Sequence, residues 1–362
     1  MIAVSTFAER LAKYKHAIDD DIATYAIHIA KSTRTQYGEY AGLEVDAFLD
    51  MLGRGGKRIR GALVILGYEM SGGTNHAMIL QAARAIEMLH AYMLVIDDIQ
   101  DRSALRRGKP TVHVAFTEYH RRHHLKGNAE HAGVGLALNA AIAGAHAAQI
   151  ILANMDAEPQ LKLNVLSIVN RTMAVTAHGQ MYDMLNEMVQ EPDVNDIDRV
   201  LEWKTALYSF INPLHVGMVL AGADCHATDA ITPYGLHTGK AFQIIDDILG
   251  IFGDEKELGK SPIDDIREGK ITVLMAYALG HASAADAVFL KSMLGNQQLT
   301  EVDFKRCRTI VQDSGALGYA RERANDEAEK ALAILRTETG RWPQADMLFL
   351  SELVTTIQKR RS

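Results

Sequence analysis

Twice along this chain, carboxylates close an apolar run: Ile96-Asp97-Asp98-Ile99-Gln100-Asp101 and Ile245-Asp246-Asp247-Ile248-Leu249-Gly250. Carboxylates at the margin of a buried segment are costly unless positive charge meets them. Hard divalent cations favour oxygen ligands and share them with phosphates, so Mg²⁺ carrying a phosphorylated ligand is the chemistry these segments suggest. With residues 84–101 on one helix, His90, Asp97 and Asp101 recur at i, i+7 and i+11 and share a face. Asp97 and Asp101 can then chelate ions from one side, and their mutual repulsion at i, i+4 calls for a cation. Capping of a following element would explain one Asp; it fits three poorly.

Basic residues accompany both segments. Arg106-Arg107-Gly108-Lys109-Pro110-Thr111 follows the first and reads as a loop gripping phosphate oxygens with forked donors. Gly55-Gly56-Lys57-Arg58-Ile59-Arg60 precedes it. This is not a Walker P-loop, because the G-x-x-x-x-G-K-[ST] spacing is missing. A diphosphate cradle at a helix start and a solvated basic face both remain open for it. Near the second segment stand Phe242-Gln243, with Gln243 and Asp247 at i, i+4, and Lys260 and Lys270 across a loop with Asp264 and Asp265. Lys204-Thr205 sits in a further apolar helix, where Lys204 is either a snorkelling side chain or a phosphate ligand.

The elements that must position these residues are helices. Ala, Leu, Met and Glu dominate long stretches and prolines number only 7, an all-α composition. Apolar spacing predicts helices near 4–33, 42–52, 57–70, 76–100, 133–154, 160–188, 196–220, 227–250, 270–280, 284–294, 300–313, 315–338 and 343–360. Breakers fall between them at Gly72-Gly73, Glu158-Pro159, Glu191-Pro192, Gly253-Asp254, Ser261-Pro262 and Gly340-Arg341-Trp342-Pro343. No Pro-, Gly- or Ser-rich linker divides residues 1–362, which predicts one helical domain.

A net charge of −7 argues against nucleic acid as the main partner. Cys225 and Cys307 lie far apart without metal-ligand spacing and read as reduced thiols of a cytoplasmic protein. The first twenty residues have no continuous apolar core, so no signal peptide is expected. Residues 133–153 carry no charge, but Asn139, His146 and Gln149 interrupt them, and a buried helix is favoured over a membrane span. From Tyr119 to His131 the chain gathers His120, His123, His124 and His131 with Arg121, Arg122 and Lys126. No Cys or carboxylate joins the histidines at zinc spacing, so a mobile loop is expected there rather than a metal site.

Taken in order, Gly-Gly-Lys-Arg-x-Arg (55–60), Asp-Asp-x-x-Asp (97–101), Arg-Arg-Gly-x-Pro-Thr (106–111), Lys-Thr (204–205), Phe-Gln-x-x-Asp-Asp (242–247) and Gly-Lys (259–260) resemble the trans-isoprenyl diphosphate synthases, the polyprenyl synthetase family. The resemblance spans about residues 50–275 and is specific as an ordered set. It implies a bundle of antiparallel helices around a central cavity, the isoprenoid synthase fold, and a homodimer. It also implies head-to-tail condensation of isopentenyl diphosphate with an allylic diphosphate. Carried over by position, Asp97 and Asp101, supported by Asp98, would hold two Mg²⁺ ions and Asp246, beside Asp247, a third. Arg106, Lys204 and Lys260 would contact the allylic diphosphate, with Lys270 nearby. Lys57, Arg60, His90 and Arg107 would bind isopentenyl diphosphate. Thr205 and Gln243 resemble the positions whose oxygen dipoles face the carbocation, and Lys359-Arg360-Arg361 resembles basic tails that close over the site in some members.

Two departures stand out. Gly250 occupies the place of the third Asp of the second motif, which predicts weakened metal coordination at most. Asn139-Ala140-Ala141-Ile142 stands where the family often has a Gly-Asp pair. Tyr92 and Met93, five and four residues before Asp97, resemble the cavity floor of short-chain synthases and imply geranylgeranyl diphosphate as product. By helical geometry Met93 lies near the Asp97 face and Tyr92 about 140° from it, so Tyr92 as floor rests on resemblance. A farnesyl or longer-chain synthase is the sibling reading. A weakly active regulatory subunit is the alternative from another class.

Overall fold

The computed structural model describes residues 6–189, 193–253 and 262–360; Lys260, Arg361 and the Glu191-Pro192 break lie outside them. In chain order the elements begin with α1 (Phe7–Tyr37), α2 (Glu39–Gly53), α3 (Ile59–Met70) and α4 (His76–Gln100). A two-stranded hairpin, β1 (Leu105–Arg106) and β2 (Lys109–Pro110), precedes α5 (Val112–Arg122), α6 (Ala129–Asn154), α7 (Pro159–Met188) and α8 (Val194–Arg199). A π-helical segment (Val200–Ile211), α9 (Asn212–Leu220) and α10 (Cys225–Phe252) follow. The chain continues through α11 (Asp264–Glu268), α12 (Val273–His281), α13 (Ala284–Met293), α14 (Glu301–Asp313), α15 (Ala316–Thr337) and α16 (Gln344–Lys359). The chain divides into two compact units, Ala3–Ser167 with Pro213–Ala223, and Ile168–Asn212 with Asp224–Ser362.

Most expected helices form close to their predicted bounds, because caps and apolar stripes agree. Thr6 and Glu9 make a capping box at the start of α1, and Asn75 caps α4 by accepting from the Met78 N–H. Three differences have local causes. The α5 helix was not expected, yet Val112, Phe116, Thr117 and His120 are buried on it at helical spacing. It absorbs the first part of the predicted mobile loop, while α6 absorbs the end at Glu130 and His131. His120 is buried and its Nε2 lies 3.1 Å from the Lys126 carbonyl oxygen. The predicted 196–220 helix is interrupted by the wider winding of Val200–Ile211, visible where the Asn212 N–H bonds the Leu207 carbonyl five residues back. Finally, Asp264 and Asp265 lie on the short helix α11 rather than in a loop.

In the first unit α4 packs on α3 and α6 and is a core helix: Ala82, Ala83, Ala85, Ile86, Met88 and Leu89 are buried. The crossing of α3 and α9 is close. A Cβ on Gly67 would stand 2.4 Å from the Leu214 carbonyl oxygen, and one on Gly217 only 2.0 Å from that of Val64. Helix α6 differs from the buried helix that its uncharged sequence suggested. Ala137, Ala140, Ala141, Ala148 and Leu152 are buried along one stripe, while Leu136, Leu138, Ile142 and Ile150 are exposed on the other. Both α4 and α6 are long and apolar enough to cross a membrane by length and composition; the burial of α4 is that of a core helix.

In the second unit α10 is the central element, packed on α15, α16 and the π-helical segment. Its polar anchor is Glu327 on α15, which receives His237 Nδ1 at 2.6 Å and Lys330 Nζ at 2.9 Å.

Candidate active site

In the first unit, the last turn of α4 carries the acidic cluster. The Asp101 N–H bonds the Asp97 carbonyl at 2.8 Å, so the two side chains stand one turn apart. Asp98 is fully buried, its Oδ1 accepting from Arg106 Nε at 2.6 Å. Arg106 Nη2 also donates to Asp97 Oδ2 at 3.3 Å. Burial pushes the Asp98 carboxyl up to about 6 in spite of Arg106, and Asp97 and Asp101 add to the rise. Its Oδ2 is buried without a hydrogen-bond partner.

Arg106 and Arg107 belong to the hairpin rather than to an open loop. Arg106 pairs with Lys109, and Arg107 and Gly108 form the two-residue turn with φ of 54° and 72°. Positive φ at both central positions is the geometry whose twist matches a tight hairpin, and Gly108 adopts it without strain. The turn aims Arg107 at the other basic segment: its Nη1 donates to the Gly55 carbonyl. A Cβ on Gly56 would lie 2.7 Å from Arg107 Nη2.

That second segment divides its labour. Arg58 is buried and structural, donating to Asp19 at 2.8 Å, the Leu52 carbonyl at 2.8 Å and Glu87 at 3.2 Å. These partners hold it at a left-handed φ of 51° just ahead of α3. Lys57 is exposed, while Arg60 reaches His90 on α4, Nη1 to Nε2 at 3.1 Å. Burial first, then Arg60, Arg107, Arg106 and Arg58, pushes His90 well below the usual histidine range. The ring is therefore neutral, and accepting from Arg60 at Nε2 places its proton on Nδ1. Desolvation and the like charges of Arg58 and Arg106 also depress Arg107, the mark of a basic cluster that an anion would relieve. Tyr92 and Met93 are both partly exposed on α4.

The second unit holds the other expected residues apart from Lys260. Lys204 and Thr205 ride on the π-helical segment, which is gripped closely on two sides. A Cβ on Gly179 of α7 would lie 2.6 Å from the Lys204 backbone nitrogen, and one on Gly239 of α10 would lie 2.3 Å from Ala206 Cα. Thr205 Oγ1 donates to Gln243 Oε1 at 2.7 Å, and Gln243 Nε2 donates to Asp247 Oδ1 at 2.7 Å. This relay fixes the Gln243 amide. Burial drives the Asp247 carboxyl well above the ordinary carboxylate range, and Asp246, Asp265 and Asp183 push it the same way. Lys270 Nζ pairs with Glu268 Oε2 at 2.8 Å.

Two neighbours of these residues escaped the sequence reading. Asp183 on α7 receives Lys204 Nζ at 2.6 Å. Gln180, one turn earlier, is 5% exposed, and its side-chain amide has no hydrogen-bond partner on either atom. Polar residues at i, i+3 on a largely apolar helix were the available signal. Asp265, which the sequence set with Asp264 beside the second acidic segment, is buried on α11.

Among the described residues no three His, Cys, Asp or Glu side chains form a cage for one ion. Mg²⁺ keeps several waters and takes one or two carboxylates plus substrate phosphates. The orphaned Oδ2 of Asp98 and the raised Asp247 carboxyl, which burial and neighbouring negative charge disfavour ionising, fit a hard cation at each acidic segment.

The polyprenyl synthetase family matches residues 44–311. A geranylgeranyl diphosphate synthase of Saccharolobus solfataricus is 33% identical over 318 residues, 87% of this chain and 90% of its own length. A geranylfarnesyl diphosphate synthase of Aeropyrum pernix is 34% identical over 290 residues, 80% of this chain and 86% of its own. The crystal structure of a geranylgeranyl pyrophosphate synthase from Corynebacterium glutamicum, complexed with isoprenyl diphosphate and magnesium, aligns with a TM-score of 0.91 at 30% identity. That alignment covers 97% of this chain and 99% of the other. With these matches on an all-α isoprenoid synthase fold, the chain belongs to the polyprenyl synthetase family.

Proposed function

We propose that this trans-prenyltransferase joins isopentenyl diphosphate head-to-tail to an allylic diphosphate (dimethylallyl, geranyl or farnesyl), giving a short-chain all-trans prenyl diphosphate, with geranylgeranyl diphosphate the favoured product. The observation that carries the reading is the polarity of α4. Its last turn presents Asp97 and Asp101, while His90, seven residues and about 10 Å earlier along the axis, stands amid Arg60, Arg106 and Arg107. One diphosphate suits carboxylate-held metal; the other suits bare guanidinium, ammonium and imidazole donors.

Asp97 and Asp101 would hold two of three Mg²⁺ ions and Asp246 the third, neutralising the departing diphosphate as Lewis acids. Arg106, Lys204 and Lys260 are assigned to that diphosphate. Lys57, Arg60, His90 and Arg107 are assigned to isopentenyl diphosphate. The allylic C–O bond breaks, the isopentenyl double bond supplies the electrons of the new C–C bond, and the released pyrophosphate takes the final proton. The relay from Thr205 through Gln243 to Asp247 keeps the oxygens of Thr205 and Gln243 preorganised toward the transient cation.

Tyr92 as cavity floor is supported by its partial exposure, since a Tyr committed to helix packing would be buried. The 34% identity to a geranylfarnesyl diphosphate synthase favours a second reading, a product one unit longer. The matched residues include parts of both units, which supports a single synthase domain. The exposed Leu136, Leu138, Ile142 and Ile150 of α6 support burial of that face in a homodimer. Two free cysteines agree with a cytoplasmic location. The test is incubation of the pure protein with isopentenyl diphosphate, each allylic primer and Mg²⁺, followed by sizing of the products. No elongation with any primer overturns the reading.

A further inference from the structure

Arg54 ends α2 as its cap residue and leads directly into Gly55-Gly56-Lys57. Its side chain is 4% exposed, an uncommon place for a guanidinium, and its hydrogen bonds account for the burial. Nε and Nη2 donate to Asp50 Oδ2 at 2.9 and 2.7 Å. Nη2 also donates to the Pro110 carbonyl at 2.7 Å, and Nη1 to the Arg106 carbonyl at 3.3 Å. One of those carbonyls lies on β1 and the other on β2, so a single forked side chain grips both strands of the hairpin. Asp50 adds a second hold on β2, accepting from Lys109 Nζ at 3.0 Å.

The tie is reciprocal. Arg54 reaches from the end of α2 to the hairpin backbone, while Arg107 reaches from the hairpin tip back to the carbonyl of Gly55, the residue after Arg54. Arg107 also carries a φ of 54°, which a residue other than glycine keeps where its surroundings impose it. The strands that impose it, paired through Arg106 with Lys109 and Leu105 with Pro110, are those that Arg54 holds.

We propose that Arg54 is a positioning residue for the isopentenyl diphosphate subsite, fixing the hairpin so that Arg107 faces the segment from Gly55 to Arg60. This inference rests on the role assigned to Arg107 above. Arg106, on the same hairpin, has ties of its own to Asp98 and Asp97, so the allylic subsite depends on Arg54 less. A guanidinium suits the task, because an ammonium has no planar fork to span two carbonyls and a carboxylate.

The experiment varies each substrate in turn at saturating concentration of the other, with the unfolding midpoint recorded for each variant. Arg54→Met keeps the apolar bulk and removes every donor. It is expected to raise the KM for isopentenyl diphosphate roughly tenfold, with kcat and the KM for the allylic primer changed less than about threefold. Arg54→Lys is expected to raise the same KM at least about fivefold, since charge without the fork does not restore the grip. It also serves where the methionine variant does not fold. With Arg107→Ala already in place, Arg54→Met is expected to add less than about twofold, because the group it positions is gone. Calorimetric titration with isopentenyl diphosphate alone, without primer or metal, should rank the variants in the same order. Unchanged affinity in both Arg54 variants overturns the proposal, as does full rescue by Arg54→Lys. An equal loss for both substrates, or full additivity with Arg107→Ala, makes Arg54 a purely structural residue and overturns it too. A protein that elongates prenyl chains yet ignores the Arg54 substitutions refutes this inference alone. One that neither elongates them nor binds isopentenyl diphosphate refutes the functional reading as well.

Discussion

Arg360, immediately after the last turn of α16, donates Nη2 to Asp246 Oδ1 at 3.2 Å while its guanidinium stands 5.3 Å from the centre of the Phe242 ring. The C-terminal cation thus sits on the carboxylate assigned to the third Mg²⁺. The Asp246 side chain is 45% exposed, so the pair is worth at most about 1 kcal/mol.

Because Arg360 and metal contend for one oxygen, Arg360→Ala is expected to tighten Mg²⁺ binding by the diphosphate-free protein about threefold, equivalent to roughly 0.6 kcal/mol. Calorimetric titration of Mg²⁺ without pyrophosphate reads this directly. Identical affinities would show that the contact does not compete with metal.

Neighbouring carboxylates on α4 should separate activity from stability. Asp97→Ala is expected to lower kcat/KM more than roughly 100-fold with little change in the unfolding midpoint. Asp98→Ala removes the buried partner of Arg106 and is expected to cost about 3–5 kcal/mol of stability as well. Product assays beside urea melts distinguish the two, and an active Asp97→Ala protein would overturn the metal assignment.

Tyr92→Ala should lengthen the product by opening the space beside Met93. Chromatographic sizing after incubation with farnesyl and isopentenyl diphosphates is the measurement. A distribution unchanged from that of the unaltered protein would remove Tyr92 from the cavity floor.

Glu327 gives the second unit a pH-dependent clasp. Burial opposes its charge, but hydrogen bonds from His237 and Lys330 prevail and hold the carboxyl down from 4.5 to about 2. A carboxyl depressed in the folded state contributes its full stability above the unfolded pKa, and loses it as pH falls toward the folded value. Glu327→Gln is therefore expected to cost up to roughly 3 kcal/mol near neutral pH, with the gap from the unaltered protein closing between about pH 4.5 and 2. Urea midpoints across that range check it, and a gap constant with pH would contradict the assignment.

Gly-Gly-Lys-Arg-x-Arg, both acidic segments and Lys204-Thr205 were legible because each is a short run whose meaning depends on residue type and order. Helix α4 was legible to its bounds because one cap and a long apolar period agree. Helix α5 was not, since its few apolar positions are diluted by His and Arg. The π winding also escaped, because residues 200–211 carry the same apolar pattern as an ordinary helix. Asp183 stayed hidden because its partner Lys204 lies 21 positions away.

The sequence by itself determined the all-α class, the family and the order of its motifs, because these reside in local periodicity and in neighbouring residue types. Only the tertiary structure decided which charges are spent on folding and which are left for ligands. It commits Arg58 to Asp19, Glu87 and the Leu52 carbonyl, turns Arg107 onto Gly55, and sets Asp265 where Gly250 leaves room. Those choices depend on contacts between segments distant in the chain, where ångström-scale packing determines which side chain occupies a given space.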